Sequence, residues 1–119
     1  MRGRKAVHEK TGTVLAEDLE MPRTIFGRGV GLMFRKTLEP GRGMWINPCE
    51  GGSIHMLFMR FPIDAVFLDG GERVRKVYRN LPAWYGVVWW TSGAHSVLEL
   101  PAGSTLGIDL QRGDQIVIQ

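Results

Sequence analysis

The chain has 119 residues, of which 44% are hydrophobic and 23% charged, and it carries a net charge of +3. Such a length fits one compact domain spanning 1–119, and such a composition belongs to a globular protein able to bury a core. The longest apolar runs fall far short of the roughly 20 residues of a membrane span. The basic start MRGRKAVHEKTG leads into no apolar signal region, which points to the cytoplasm, and a lone cysteine excludes an internal disulfide and any zinc site built on paired cysteines.

Taken in chain order, Arg2, Arg4 and Lys5 supply part of the positive charge from what reads as a frayed terminus over residues 1–5. Met21 to about Phe34 is predicted as a short helix. Pro22 suits a first helical position, and Ile25, Phe26, Val30, Met33 and Phe34 recur at roughly helical spacing, against the cost of Gly27, Gly29 and Gly31. Gly27-Arg28-Gly29-Val30-Gly31 matches neither the dinucleotide fingerprint nor a Walker loop and reads as a site of close packing. From there the chain turns to strands, at 43–47, 63–69, 73–79, 97–100 and 115–119. Each is rich in Val, Ile, Phe, Tyr or Trp and bounded by Gly, Pro, Asp or Asn. Asp69-Gly70-Gly71 predicts a hairpin between 63–69 and 73–79, with glycine supplying positive φ. Residues 100–110 are expected to add one further helical turn. The fold class is therefore mainly β, a small antiparallel barrel or sandwich with one or two short helices.

Three residues in the middle of the chain invite a chemical reading. Cys49, His55 and Asp64 have the residue types of a nucleophile, a base and an orienting carboxylate, or of metal ligands. The structural alternatives are a buried small thiol, a histidine that bonds the loop backbone, and a carboxylate that pins a turn. No ligand spacing singles out a metal, so no metal site is assigned, and no cofactor is readable. On parity Asp64 shares a face with Val66 and Leu68 and should be buried, with backbone amides, His55, Arg35 or Arg60 as candidate donors. Trp84, Tyr85, Trp89 and Trp90 crowd one loop-like stretch. They line a ligand pocket or an interface, or else plug one end of the fold; Trp84, Trp89, Trp90 and Arg35 are the candidate ligand-binding residues. Arg73, Arg75 and Arg79 fall on one face of a regular strand, as an anion-binding stripe or a solvated edge. Without stacking aromatics among them nucleic-acid binding is disfavoured. Oligomeric state stays open. Two functions compete: a β domain that binds a ligand or protein partner, and an enzyme or metal site on Cys49, His55 and Asp64.

Gly31-Leu32-Met33-Phe34-Arg35, Gly43-Met44, Ile54-His55-Met56 and Met59 through Asp69, followed in order by Val97 through Gly103 and Gly113-Asp114, resemble the domain-of-unknown-function family 192 (DUF192) over about residues 25–119. Pro48-Cys49 ahead of Ile54-His55 is similar to one branch of it, from which the chain departs through Gly51-Gly52 in the connecting loop and Met56 after the histidine. The resemblance implies a small, mostly antiparallel β domain and supports the short helix before Leu32. It implies no reaction, substrate or cofactor.

Overall fold

Ile63–Leu68 is buried at every position and Ser96–Pro101 at all but its last. Runs of this kind form strands covered on both faces, and the two pair side by side in the middle of the molecule. A computed structural model of the chain describes residues 4–22, 32, 35–49, 54–56, 59–84, 86–88 and 90–119, with Ile54 and His55 described by backbone alone. In chain order the strands are β1 (Arg4–His8), β2 (Thr13–Glu20), β3 (Arg42–Ile46), β4 (Ile54–His55), β5 (Ile63–Leu68), β6 (Val74–Leu81), β7 (Val87–Val88), β8 (Ser96–Pro101) and β9 (Ile116–Ile118). Seven of them form one sheet in the order β6-β5-β8-β3-β2-β1-β9, and β4 pairs with β7 apart from it. Neighbours in the large sheet run antiparallel except β2 and β3.

The large sheet curls into a half-barrel until its two edges touch at one end. There Arg73 bridges Gln115, and the amides of Val74 and Ile116 donate to the carbonyls of Asp114 (2.8 Å) and Glu72 (2.9 Å). The inner face is filled from both edges and the centre, by Ala6, Leu19, Trp45, Val66, Leu98 and Ile116 among others. The outer face has its own apolar cluster. Met44, Ile46, Ile63, Ala65, Phe67 and Val97 on the strands pack under Leu32, Leu38, Cys49, Met56, Met59 and Val88. His8 is fully buried, with Nε2 2.8 Å from Asp114 Oδ2 and Nδ1 2.9 Å from Thr11 Oγ1, and so clasps the β1–β2 hairpin to the turn before β9.

All five predicted strands are present, and β5 and β6 form the predicted hairpin. Its turn works differently from expectation. The positive φ falls on Glu72 (59°), while Asp69 Oδ1 accepts the amides of Gly71 (2.8 Å) and Arg73 (3.0 Å). Arg4 and Lys5 are not frayed but begin β1, where Lys5 and Gln119 exchange both backbone hydrogen bonds. No helix occurs among the described residues. The predicted Met21–Phe34 helix lies outside them apart from Met21, Pro22 and Leu32. Residues 102–107 form turns in place of the expected helical turn, because Gly103 and Gly107 adopt φ of 92° and 78°, outside the helical region. Nor is there a helix long and apolar enough to cross a membrane among the described residues.

β6 also breaks the arginine row. Its pairing with β5 slips twice, between Phe67 and Leu68 and between Ile63 and Ala65, so residues around Arg75 and around Arg79–Asn80 bulge. Each arginine then turns to a backbone carbonyl: Arg73 to Gly113 (3.1 Å), Arg75 to Ser92 (3.0 Å) and Arg79 to Ile108 (3.2 Å). They fasten loops to the edge of the sheet.

Candidate functional site

Strand alternation decides which side chains meet on the outer face. In register, Glu20 of β2 lies beside Met44 of β3, Met44 beside Glu99 of β8, Glu99 beside Ala65 of β5, and Ala65 beside Tyr78 of β6. One row thus crosses the sheet, carboxylate at one end and phenol at the other, with Glu99 in its middle. The residues flanking Glu99 along β8, Leu98 and Leu100, face the inner core, which leaves Glu99 on the outer face between Met44 and Ala65 of the apolar cluster.

Glu99 is only 7% exposed. Its side chain makes no hydrogen bond or ion pair among the described residues, and burial pushes its carboxyl up to about 7. A carboxyl with no donors in an apolar setting takes up a proton more readily than it keeps its charge. At the rim, about 10 Å away across two strand spacings, Arg35 grips Glu20 with both terminal nitrogens, Nη1 to Oε2 at 2.5 Å and Nη2 to Oε1 at 2.9 Å. This two-point bond holds Glu20 below the usual carboxylate range and raises Arg35. Both terminal nitrogens of Arg35 are therefore engaged by Glu20.

Asp64 lies on the other side of the sheet, sharing the inner face with Val66 and Leu68 as parity requires. It is 1% exposed. Its Oδ1 accepts the Asn80 amide (2.9 Å), and its Oδ2 accepts the Thr105 amide (3.0 Å) and hydroxyl (2.6 Å). Burial pushes the carboxyl up, but the Thr105 hydroxyl and the amides of Asn80, Thr105 and Gly103 outweigh it and hold the group below its ordinary value. The turn amides foreseen as donors are there; Arg35 is paired with Glu20, and Arg60 is not among the partners. Asp64 thus pins the Arg79–Asn80 bulge and the 103–105 turn to β5.

Cys49 is buried in the outer cluster, its amide donating to the His95 carbonyl at 2.7 Å. His95 stands four residues before Glu99, about 13 Å along the strand, so Cys49 sits toward the far end of that face. The structure does not bring Cys49 and Asp64 together, since the sheet lies between them. His55 pairs through its backbone with Val87. Trp84 (47% exposed) and Trp90 (67% exposed) do not plug the core; Trp89 lies outside the described residues. Trp84 donates its amide to the Met56 carbonyl at 2.9 Å, which sets it at the border of the outer cluster. Gly86 makes that junction possible, because a Cβ there would stand 2.7 Å from Met56 Cγ and 2.9 Å from the Pro82 carbonyl oxygen. Among the described residues no three His, Cys, Asp or Glu side chains converge as a metal site.

Sequence reasoning passed over Glu99. The signal was there: a single charge inside Val97-Leu98-Glu99-Leu100, the same anomaly that drew notice to Asp64.

Comparison with known proteins places this geometry in an uncharacterised family. A UPF0127 protein of Thermococcus sibiricus is 30% identical over 113 residues, covering 92% of this chain and 71% of the relative. The crystal structure of a protein of unknown function from Novosphingobium aromaticivorans superposes with a TM-score of 0.82 at 24% identity, covering 96% of this chain and 83% of that one. A Sinorhizobium meliloti structure described as a "putative transcription regulator" superposes with a TM-score of 0.76 at 22% identity, covering 97% and 91%. At these identities the two structures establish the shared fold. The profile of DUF192, described as "Uncharacterized ACR", matches residues 6–118, and the chain belongs to that family.

Proposed function

We propose that this chain is a ligand-binding β domain whose site is the outer face of the sheet around Glu99. The observation that carries the proposal is a glutamate only 7% exposed whose carboxyl no described residue partners. Buried polar groups are as a rule hydrogen-bonded, because leaving one unpaired costs about 1–3 kcal/mol or more for a charged group. A carboxyl that burial raises and that its own chain gives no donor among the described residues is one to which an incoming molecule can supply a partner. Glu99 stands on β8, which is paired on both sides, with β3 and β5, a suitable footing for recognition. Within the family we place the chain in the branch with Pro48-Cys49 ahead of Ile54-His55, on those residues alone.

A catalytic reading on Cys49, His55 and Asp64 has less support, since Asp64 is spent on three short hydrogen bonds on the opposite face. Nor do Arg73, Arg75 and Arg79 favour a nucleic-acid surface, each being turned to a carbonyl of the chain itself. The test is thermal denaturation of the full chain against a fragment library of alkylamines, carboxylic acids and neutral amides. At a concentration near one hundred times its Kd, a true ligand adds about 2.7 kcal/mol, a rise of roughly 10 °C in a domain of this size. Loss of that rise in Glu99→Gln but not in Glu17→Gln, an exposed control, is expected. Equal rises in parent and Glu99→Gln, or none for any class, would remove the site.

A further inference from the structure

Three features of the outer face bear on what Glu99 receives. Arg35 at the rim already gives both terminal nitrogens to Glu20, so Glu99 has no cation partner among the described residues. Its cross-strand neighbours Met44 and Ala65 are apolar and belong to a cluster that also holds Met56 and Met59. At the border, half-exposed Trp84 is fixed to Met56 by a backbone hydrogen bond. A buried carboxylate, an apolar cluster with thioethers and an indole at the edge together fit a positive charge on an apolar body, since a cation compensates an ionised buried carboxylate best and aromatic faces attract it during entry.

We propose that the Glu99 face takes a small organic cation, an ammonium or guanidinium group on a short apolar chain, with Glu99 as its counter-charge. The inference rests on the ligand-binding reading of that face and adds the class of ligand. It has a consequence that other classes do not share. A cation requires the ionised carboxylate, and burial pushes the Glu99 carboxyl up to about 7. Affinity for a permanently charged ligand therefore rises about tenfold per pH unit below that range and levels off above it. A ligand that accepts a hydrogen bond from the protonated carboxyl shows the reverse.

Other groups on the face are Glu20 and Arg35 at one side, Lys76 and Tyr78 on β6, with the Lys76 ammonium 5.6 Å from the Tyr78 ring, and Cys49 toward the far end. His55 stands on the adjoining β4. Glu99→Gln separates their titration from that of Glu99. The experiment is calorimetric titration of the full chain with butyltrimethylammonium, butyramide and butyrate at pH 5 to 8. Expected is binding of the ammonium that tightens about fiftyfold from pH 5 to 7, with the slope abolished and affinity at pH 8 at least tenfold weaker in Glu99→Gln. Binding of butyramide or butyrate that weakens with pH would overturn the cation class while leaving the site in place. Failure of all three probes to bind, or a slope that survives in Glu99→Gln, would overturn both.

Discussion

Asp64 and Glu99 stand on adjacent strands of one sheet, β5 and β8, are buried almost equally, and face opposite ways. On the inner face Asp64 accepts three hydrogen bonds of 2.6–3.0 Å and is held in its charged form. On the outer face Glu99 accepts none from described residues and is pushed toward neutrality. Burial therefore does not decide the state of a carboxyl; the supply of donors does. A residue whose donors come from a bulge and a turn of its own chain is part of the scaffold. One without them is where the proposed ligand would bind.

The sharpest way to break this contrast is Asp64→Ala. Two amides and a hydroxyl would lose their acceptor, and the expected cost is about 4 kcal/mol, a fall in Tm of roughly 15 °C. A variant that melts within a few degrees of the parent would show that water replaces the carboxylate. Next comes the pH dependence of stability. Glu99 has a raised folded pKa, so its favourable contribution is complete below the unfolded value of 4.5 and is lost as pH rises toward about 7, roughly 3 kcal/mol in all at 1.4 kcal/mol per unit. Asp64 has a depressed folded pKa, so its contribution is present above 3.8 and disappears as pH falls through the folded value. Urea titrations from pH 3 to 8 should show both limbs, and Glu99→Gln should flatten only the one between 4.5 and 7. A smaller effect, about 1.5 kcal/mol, is expected for Thr105→Val, which removes the hydroxyl between Asp64 and Arg79 Nε but keeps the amide bond. Smallest is Arg35→Ala. Its side chain is 40% exposed and that of its partner Glu20 32%, so about 0.5 kcal/mol is expected, diminishing with added salt. A salt-independent loss above 2 kcal/mol would show that Arg35 supports the outer cluster by packing.

The central sheet was legible because β5 and β8 bury both faces and so appear as apolar runs, each interrupted by one acid, and the β5–β6 hairpin because Asp69 advertises its turn. β1 and β2 were not. Their buried positions include His8, whose polarity conceals it, and the consecutive Leu15 and Ala16, which break simple alternation where the pairing slips at Ala6. The same kind of slip defeated the arginine row, since bulges change parity and composition does not announce them. Asp64 was found by counting from a strand start. Glu99 obeys the same parity, but its importance lies in what fails to surround it. Missing donors are a property of the packed face, and the sequence does not display them.

The meeting of β9 with β1 has a kinetic side. Residues 116–118 pair with residues 6–8, and His8 waits on Asp114, so the sheet's last rank closes across almost the whole chain. Contacts of such sequence separation carry a large loop-closure entropy before they return any enthalpy, and chains rich in them refold slowly. In refolding from denaturant, β5–β6 and β1–β2 can zip early as local hairpins, whereas β9 must find its place on a sheet already formed. Its three amides should be the last to gain protection in pulsed hydrogen exchange, and the first to surrender it.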